Sequence, residues 1–236
     1  MASLYIPPIK TPVSHPRAYP FKLPVQLDPS CVLCLLPIRD DKWYDFSGKG
    51  NHGTIEGAIW TAKGRLGPAL YIDGLDDYVK TPSINHGSSF TIAGWVKVTS
   101  NKDYPTMMAT GTSGSASGWR LYTPRKSNQI MRFECADGSA EEGFAASSIV
   151  SYDVRHLLGA TIVKGGTSTF YLDGVPDGTF TTTKDFITQK PVYIGAVADL
   201  YSGCFLKTLF DEAYLFTRAF SASDMLALFE LGREVR

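Results

Sequence analysis

The chain has 236 residues, the size that a single β-sandwich fills without a disulfide or a metal to hold its core. Lysine plus arginine equals aspartate plus glutamate at 23 each, with the charges scattered, so no broad field exists to attract nucleic acid or anionic lipid. No apolar run approaches the ~20 residues that cross a bilayer, and MASLYIPPIKTP lacks the apolar stretch of a signal peptide. The expectation is a soluble chain made in the cytosol, with neither a nucleic acid nor a membrane as partner.

Residues 1–30 hold seven of the fourteen prolines, interleaved with Tyr5, Ile6, Ile9, Val13, Tyr19, Phe21, Leu23 and Val25. Proline at this density fixes φ and removes amide donors, which predicts an extended arm rather than a strand or helix. A disordered linker would be polar, whereas these side chains gain by being covered. The arm is therefore expected to lie on other protein subunits of a homo-oligomer or symmetric array. The alternative is an arm folded back on its own domain.

From residue 31 to the C-terminus, short apolar or alternating runs are separated by Asp-Gly, Ser-Gly and Gly-Gly turn signals. They include CVLCLL, GTIEGAIW, PALYIDG, SFTIAGWVKV, GWRLYT, QIMRFEC, HLLGATIV, TSTFYLDG, KPVYIGA and FLKTLFDEAYLF. About a dozen strands with no alternating helices predict an all-β, two-sheet antiparallel sandwich over 31–236. Cys31 and Cys34 form a CxxC, but three residues apart on a strand places them on opposite faces, so Cys31, Cys34, Cys135 and Cys204 are read as buried free thiols.

Asp73, Gly74, Asp76 and Asp77 read as turn chemistry between two strands. In SFTIAGWVKVT, Phe90, Ile92, Val96 and Val98 share one face, which leaves Trp95 on the other and in need of a cover. Burial by protein is favoured there over stacking on a sugar. Trp119, Arg120, Tyr122 and Arg125 combine aromatic and cationic groups near flexible loops, a mixture suited to a ligand or partner surface, although a plain hairpin explains it nearly as well. Glu134, Asp137, Glu141 and Glu142 read as a solvated hairpin. The one convincing helix has Ser221 as N-cap and Asp224 in its first turn, an apolar face of Met225, Leu226, Leu228 and Phe229, and Gly232 as its stop.

VLCLLP, DFSGKGNHGT, PALYIDGLDDYVKTP, SFTIAGWVKV, FYLDGV, VYIGA and DEAYLFTRAFSASDMLALF, in that order, resemble the laminin G-like, concanavalin A-like jelly-roll family over residues 32–230. The resemblance implies two curved antiparallel sheets but does not fix a function, because relatives include glycan-binding modules, adhesion domains, glucanases and virus components. The glucanase arrangement of two glutamates bracketing an aspartate is absent, so no catalysis is expected.

Asp45 and Asn51, in a glycine-rich loop, offer oxygen donors of the kind a structural Ca²⁺ takes. In relatives this loop meets the acidic residue opening the last long strand, which here is Asp211. The competing reading has Asp45 capping the loop through backbone amides, with His52 as a loop hydrogen-bonder. The functional expectation is a non-enzymatic component of a virus particle, a capsid decoration, capsid-associated or tail protein made in the host cytoplasm and tethered by its arm. The alternative is an extracellular carbohydrate-binding or adhesion module.

Overall fold

The computed structural model describes residues 28–233 apart from 66 and 101. The expected arm up to residue 27, with Tyr5, Ile6, Ile9, Tyr19 and Phe21, therefore lies outside the described residues. Two eight-stranded antiparallel sheets face each other. In sheet A, β4 (Ile59–Thr61), β5 (Ala69–Asp73), β16 (Lys207–Phe216), β7 (Ser89–Ser100), β12 (Arg155–Val163), β13 (Ser168–Leu172) and β14 (Val175–Phe180) follow in space, and β1 (Cys31–Leu35) pairs with the far half of β16. Sheet B runs β2 (Lys42–Trp43), β3 (Gly53–Glu56), β6 (Tyr78–Asn85), β15 (Gln189–Ile194), β8 (Thr106–Ala109), β9 (Gly118–Tyr122), β10 (Ile130–Ala136) and β11 (Glu141–Ile149).

The run GTIEGAIW is not one strand. Its first half pairs in sheet B and its second half in sheet A, and the chain crosses between them at Gly57. Gly57 has φ +75°, and a Cβ there would lie 2.1 Å from Asp77 Oδ1, so only glycine fits the crossing.

The core between the sheets is built by period-2 alternation. Phe90, Ile92, Val96 and Val98 point inward from β7, where they meet Leu33, Leu35, Trp43, Met107, Phe133, Phe170 and Phe210. A second, smaller cluster lies on the outer face of sheet A, under the helix α1 (Ala222–Arg233). Ser221 opens that helix as a capping box: Asp224 N–H donates to Ser221 Oγ at 3.2 Å and Ser221 N–H donates to Asp224 Oδ2 at 2.8 Å. Met225, Leu228 and Phe229 cover the sheet, but Leu226 is turned to solvent, and the helix runs one residue past Gly232.

The four cysteines are free and buried, as expected. Their assigned faces need correction. The register of β1 against β16 shifts between Cys31 and Leu33, and this bulge turns both Cys31 and Cys34 into the outer cluster, where Cys31 Sγ donates to Leu33 O at 3.4 Å.

At one end of the core, fully buried His86 packs against Phe90, Trp119 and Phe186. Trp119 Nε1–H can only donate, and it meets His86 Nε2 at 2.9 Å, so the imidazole proton sits on Nδ1 and bonds Gly87 O at 2.7 Å. Burial pulls the imidazole down from 6.5 to about 4, opposed weakly by the Gly87 carbonyl. The unfolded chain takes up this proton below pH 6.5 and the folded chain does not until about pH 4, so the contribution is present above pH 6.5 and is lost as pH falls. Between pH 6.5 and 4 the unfolding free energy of the native protein should fall by about 3 kcal/mol more than that of His86→Gln. Parallel pH profiles would show that the ring titrates in the fold as it does in water.

Candidate ligand-binding face

One row of side chains crosses the whole outer face of sheet B. In-register pairs link Lys42 to Thr54, Thr54 to Lys80, Lys80 to Tyr193, Tyr193 to Ala109, Ala109 to Arg120, Arg120 to Glu134 and Glu134 to Gly143. Alternation places them there: Val79 and Ile194 face the core, which leaves Tyr78, Lys80 and Tyr193 outward.

The two halves of the row differ. On the open half, the Tyr78 and Tyr193 rings lie 6.0 Å apart with planes 32° from parallel, and Lys80 Nζ stands 5.4 Å from the Tyr193 ring centre. Both rings are half-buried, with exposed Thr54, Glu56 and Lys80 beside them. On the other half, Ala109 and Tyr122 lie under Val197 and Cys204 of the following loop. The backbone carbonyls of Thr112 and Gly114 accept from Arg120 Nη1, while Nη2 meets Glu141 at 2.7 Å and Glu134 at 3.1 Å. Glu134 also receives Arg132 Nε at 2.6 Å. Burial, reinforced by the Glu134 charge, holds the Tyr122 phenol far above its ordinary range, so it stays neutral.

Trp119, Arg120 and Tyr122 are therefore not exposed as a binding surface, and each is at most 2% accessible. GWRLY is a central strand: Trp119 points into the core, and Arg120 and Tyr122 point outward but are roofed by loops. Glu134 is likewise a buried partner of two arginines rather than a solvated group, whereas Asp137 does close its turn by accepting Ser139 N–H and Ala140 N–H. The tyrosines and Lys80 were not singled out from the sequence. The alternation in DDYVKT and KPVYIGA was the signal that could have found them.

Trp95 lies on the outer face of sheet A, as period-2 counting placed it, and is 4% exposed. Its cover is the helix and one loop: Phe229 stacks at 5.4 Å, and the Arg65 guanidinium lies 4.4 Å from the ring centre.

Asp45, Asn51 and Asp211 are not assembled into one cation site. Asp45 accepts Cys34 N–H (2.9 Å), Ser47 N–H (2.9 Å), Ser47 Oγ–H (2.7 Å) and Asn51 N–H (2.8 Å), and its own N–H donates to His52 Nδ1. Asn51 Nδ2 ties the loop to Val32 O at 2.7 Å. Asp211 faces cations and amides instead: it accepts from Arg65 N–H and from Arg155 Nε at 3.1 Å. A carboxylate surrounded by donors fits the loop-capping role and does not fit a Ca²⁺ ligand set. Among the described residues the one close acidic trio is Asp73, Asp76 and Asp77, where Asp73 accepts Leu75 N–H and Asp77 accepts Asp73 N–H, as turn chemistry requires. Asp45→Ala should lower the unfolding free energy by about 2–4 kcal/mol, because it leaves three backbone amides without acceptors. The loss should be the same in excess Ca²⁺ and in EDTA. A loss confined to Ca²⁺ buffers would restore the metal.

A comparison with curated proteins finds no match. Among solved structures, domain 4 of an extracellular arabinanase from Geobacillus stearothermophilus, in complex with arabinotriose, aligns at TM-score 0.69 and 17% identity, over 84% of this chain and 98% of that one. The binding domain of botulinum neurotoxin DC, in complex with rat synaptotagmin II, aligns at TM-score 0.68 and 16% identity over 87% of this chain and 52% of that one. The binding domain of Paraclostridial mosquitocidal protein 1 gives 0.67 and 15% over 85% and 52%. The chain thus spans about half the length of these two toxin domains. Residues 73–225 match a family described as the concanavalin A-like lectin/glucanases superfamily, and with this match and the two-sheet architecture the chain belongs to that superfamily.

Proposed function

We propose that the protein is a non-catalytic binding module that holds a saccharide against the open half of sheet B. The observation that carries this reading is the half-exposed Tyr78–Tyr193 pair beside Lys80. A sugar ring presents C–H groups to an aromatic face and hydroxyls to its rim, and here Thr54, Glu56 and Lys80 supply donors and acceptors around the two rings. The complex of the similarly folded arabinanase domain with arabinotriose supports the ligand class. The same face supports the non-catalytic part of this reading: Glu134 and Glu141 both pair with Arg120 beneath the 112–114 loop, an arrangement unlike the two free carboxyls that glycoside hydrolysis uses.

A second reading, a structural component of a virus particle tethered to neighbouring subunits by its N-terminal arm, residues 1–30, has its own support. The first described residue is firmly rooted: Asp28 Oδ2 receives Arg218 Nε at 2.6 Å, and Thr217 N–H donates to Ser30 O at 2.8 Å. Strain on the N-terminal segment would therefore reach the sandwich. In this reading the protein resides in the virion, and in the first it meets its glycan outside the cell.

The first reading is tested by titrating arabinotriose and a panel of neutral and acidic oligosaccharides by calorimetry. Tyr193→Ala should weaken binding of whichever sugar binds by tenfold or more, the loss of about 1.4 kcal/mol of stacking and cation contact. Binding that is unchanged in Tyr193→Ala and Tyr78→Ala would remove the sugar from this face.

A further inference from the structure

The end of the sandwich around β4 is both acidic and apolar. β4 is the last strand of sheet A, and among the described residues nothing pairs with its outer edge. Ile59 and Leu75 are 62% and 68% exposed. Trp60, the next residue of β4, points the other way: it packs on the core beside Trp43 at 6.2 Å, and its Nε1–H donates to Asp40 O in the loop before β2 at 2.8 Å. Asp40, Asp41, Glu56 and Asp76 are exposed around these side chains, and the Asp73, Asp76 and Asp77 carboxylates lie within 4.8 Å of one another. None of these six acids has a partner among the described ion pairs, which use basic groups elsewhere. Asp77 is held above its ordinary range, first by burial and, against a backbone hydrogen bond at Asp73, by the charges of Asp73 and Asp76, with Lys207 opposite Asp73 at the rim.

A partner for this patch must bring apolar side chains and positive charge together. Residues 1–27 have that composition: Lys10, Arg17 and Lys22, no aspartate or glutamate, and eleven large apolar side chains interleaved with six prolines. We propose that residues 1–27 of one copy dock on the β4 edge of the next copy, over exposed Ile59 and Leu75, in a head-to-tail array. The proposal rests on the tethering reading given above and names the surface that receives the tether.

The direction follows from β16. Asp28 is held beside the end of this strand, at Thr217 and Arg218, whereas Asp73 pairs with Lys207 at its start. Ten residues of strand separate root and patch by about 30 Å. A segment of 27 residues rich in proline reaches up to ~80 Å, enough to leave its own sandwich and cross a neighbour. Because root and patch are different surfaces at opposite ends, the contact is heterologous, and it closes into a ring or runs on as a filament.

The test uses the full chain and sedimentation velocity across protein and salt concentration. The patch variant combines Leu75→Ser, Asp76→Lys and Glu56→Lys, all exposed, and leaves Asp73 and Asp77 to close their turn. The arm variant combines Lys10→Glu, Arg17→Glu and Lys22→Glu. The native protein should assemble and dissociate as salt rises, and each variant alone should need at least tenfold more protein to assemble. An equimolar mixture of the two variants should regain assembly, since a reversed arm then meets a reversed patch; a folding defect would not be rescued in this way. Assembly lost in the arm variant but kept in the patch variant overturns the docking surface and leaves the tether. Assembly unaffected by either variant, or a native protein that stays monomeric throughout, overturns both.

Discussion

Two adjacent carboxylates, Asp211 and Glu212, lie buried on the outer face of sheet A at 1% and 4% exposure, and their need for partners organises that side of the molecule. A register shift between Phe210 and Glu212 lets neighbouring residues of one strand both serve this face. Burial raises both above the usual carboxylate range, and nearby arginines pull them back. Glu212 takes Arg65 Nη2 at 2.7 Å and the Tyr214 hydroxyl at 2.6 Å, and Asp211 takes Arg65 N–H and Arg155. Arg155 also donates to Lys63 O, so the loop after β4 is strapped across the sheet. Removing one side of such a pair typically costs about 3–5 kcal/mol. The strap, the cation over Trp95 and the seat of the helix all depend on it.

The two outer faces are consequently put to different uses. On sheet A, the strap and the helix cover Trp95, Leu157, Tyr171 and Tyr214, leaving the β4 end bare. On sheet B, only the half bearing Arg120 is roofed, by loops that offer carbonyls to Arg120 and apolar side chains to Ala109 and Tyr122, and the half bearing Tyr78 and Tyr193 is open. A jelly roll needs just its inner faces for a core, so its outer faces are free to diverge, which is why membership of the superfamily does not itself select a ligand.

Much of the architecture was legible because alternation reports which face is buried. Phe90 to Val98 were read inward and Trp95 outward from the pattern alone. The strand β11 was passed over because Glu141–Ile149 carries few apolar residues, and it sits at an edge where few are needed. Bulges defeated simple counting: the one in β1 brought Cys31 and Cys34 to one side, against their spacing. Exposure was hardest to read. Arg120 and Tyr122 do face outward as polar residues should, but the sequence does not announce that the 112–114 loop will fold back over Arg120 or that a loop about eighty residues on will close over Tyr122. Asp45 posed the converse problem, since the same loop chemistry serves either a cation or a ring of backbone amides, and only the direction of the amides decides.

The position of β16 has a consequence for how the chain is made. This strand pairs with β1, β5 and β7, so it holds together segments that leave the ribosome long before it does. Cys31 to Leu35 form the first described strand, and their partners, Ala213 to Phe216, are made about 180 residues later. Until then sheet A has a gap at its centre, and Arg65, Arg155 and both thiols of β1 lack the strand they pack against. Folding of this sandwich is thus a late and concerted event, with a nascent chain that exposes long unpaired strand edges for most of its synthesis and relies on chaperones or speed to keep them apart.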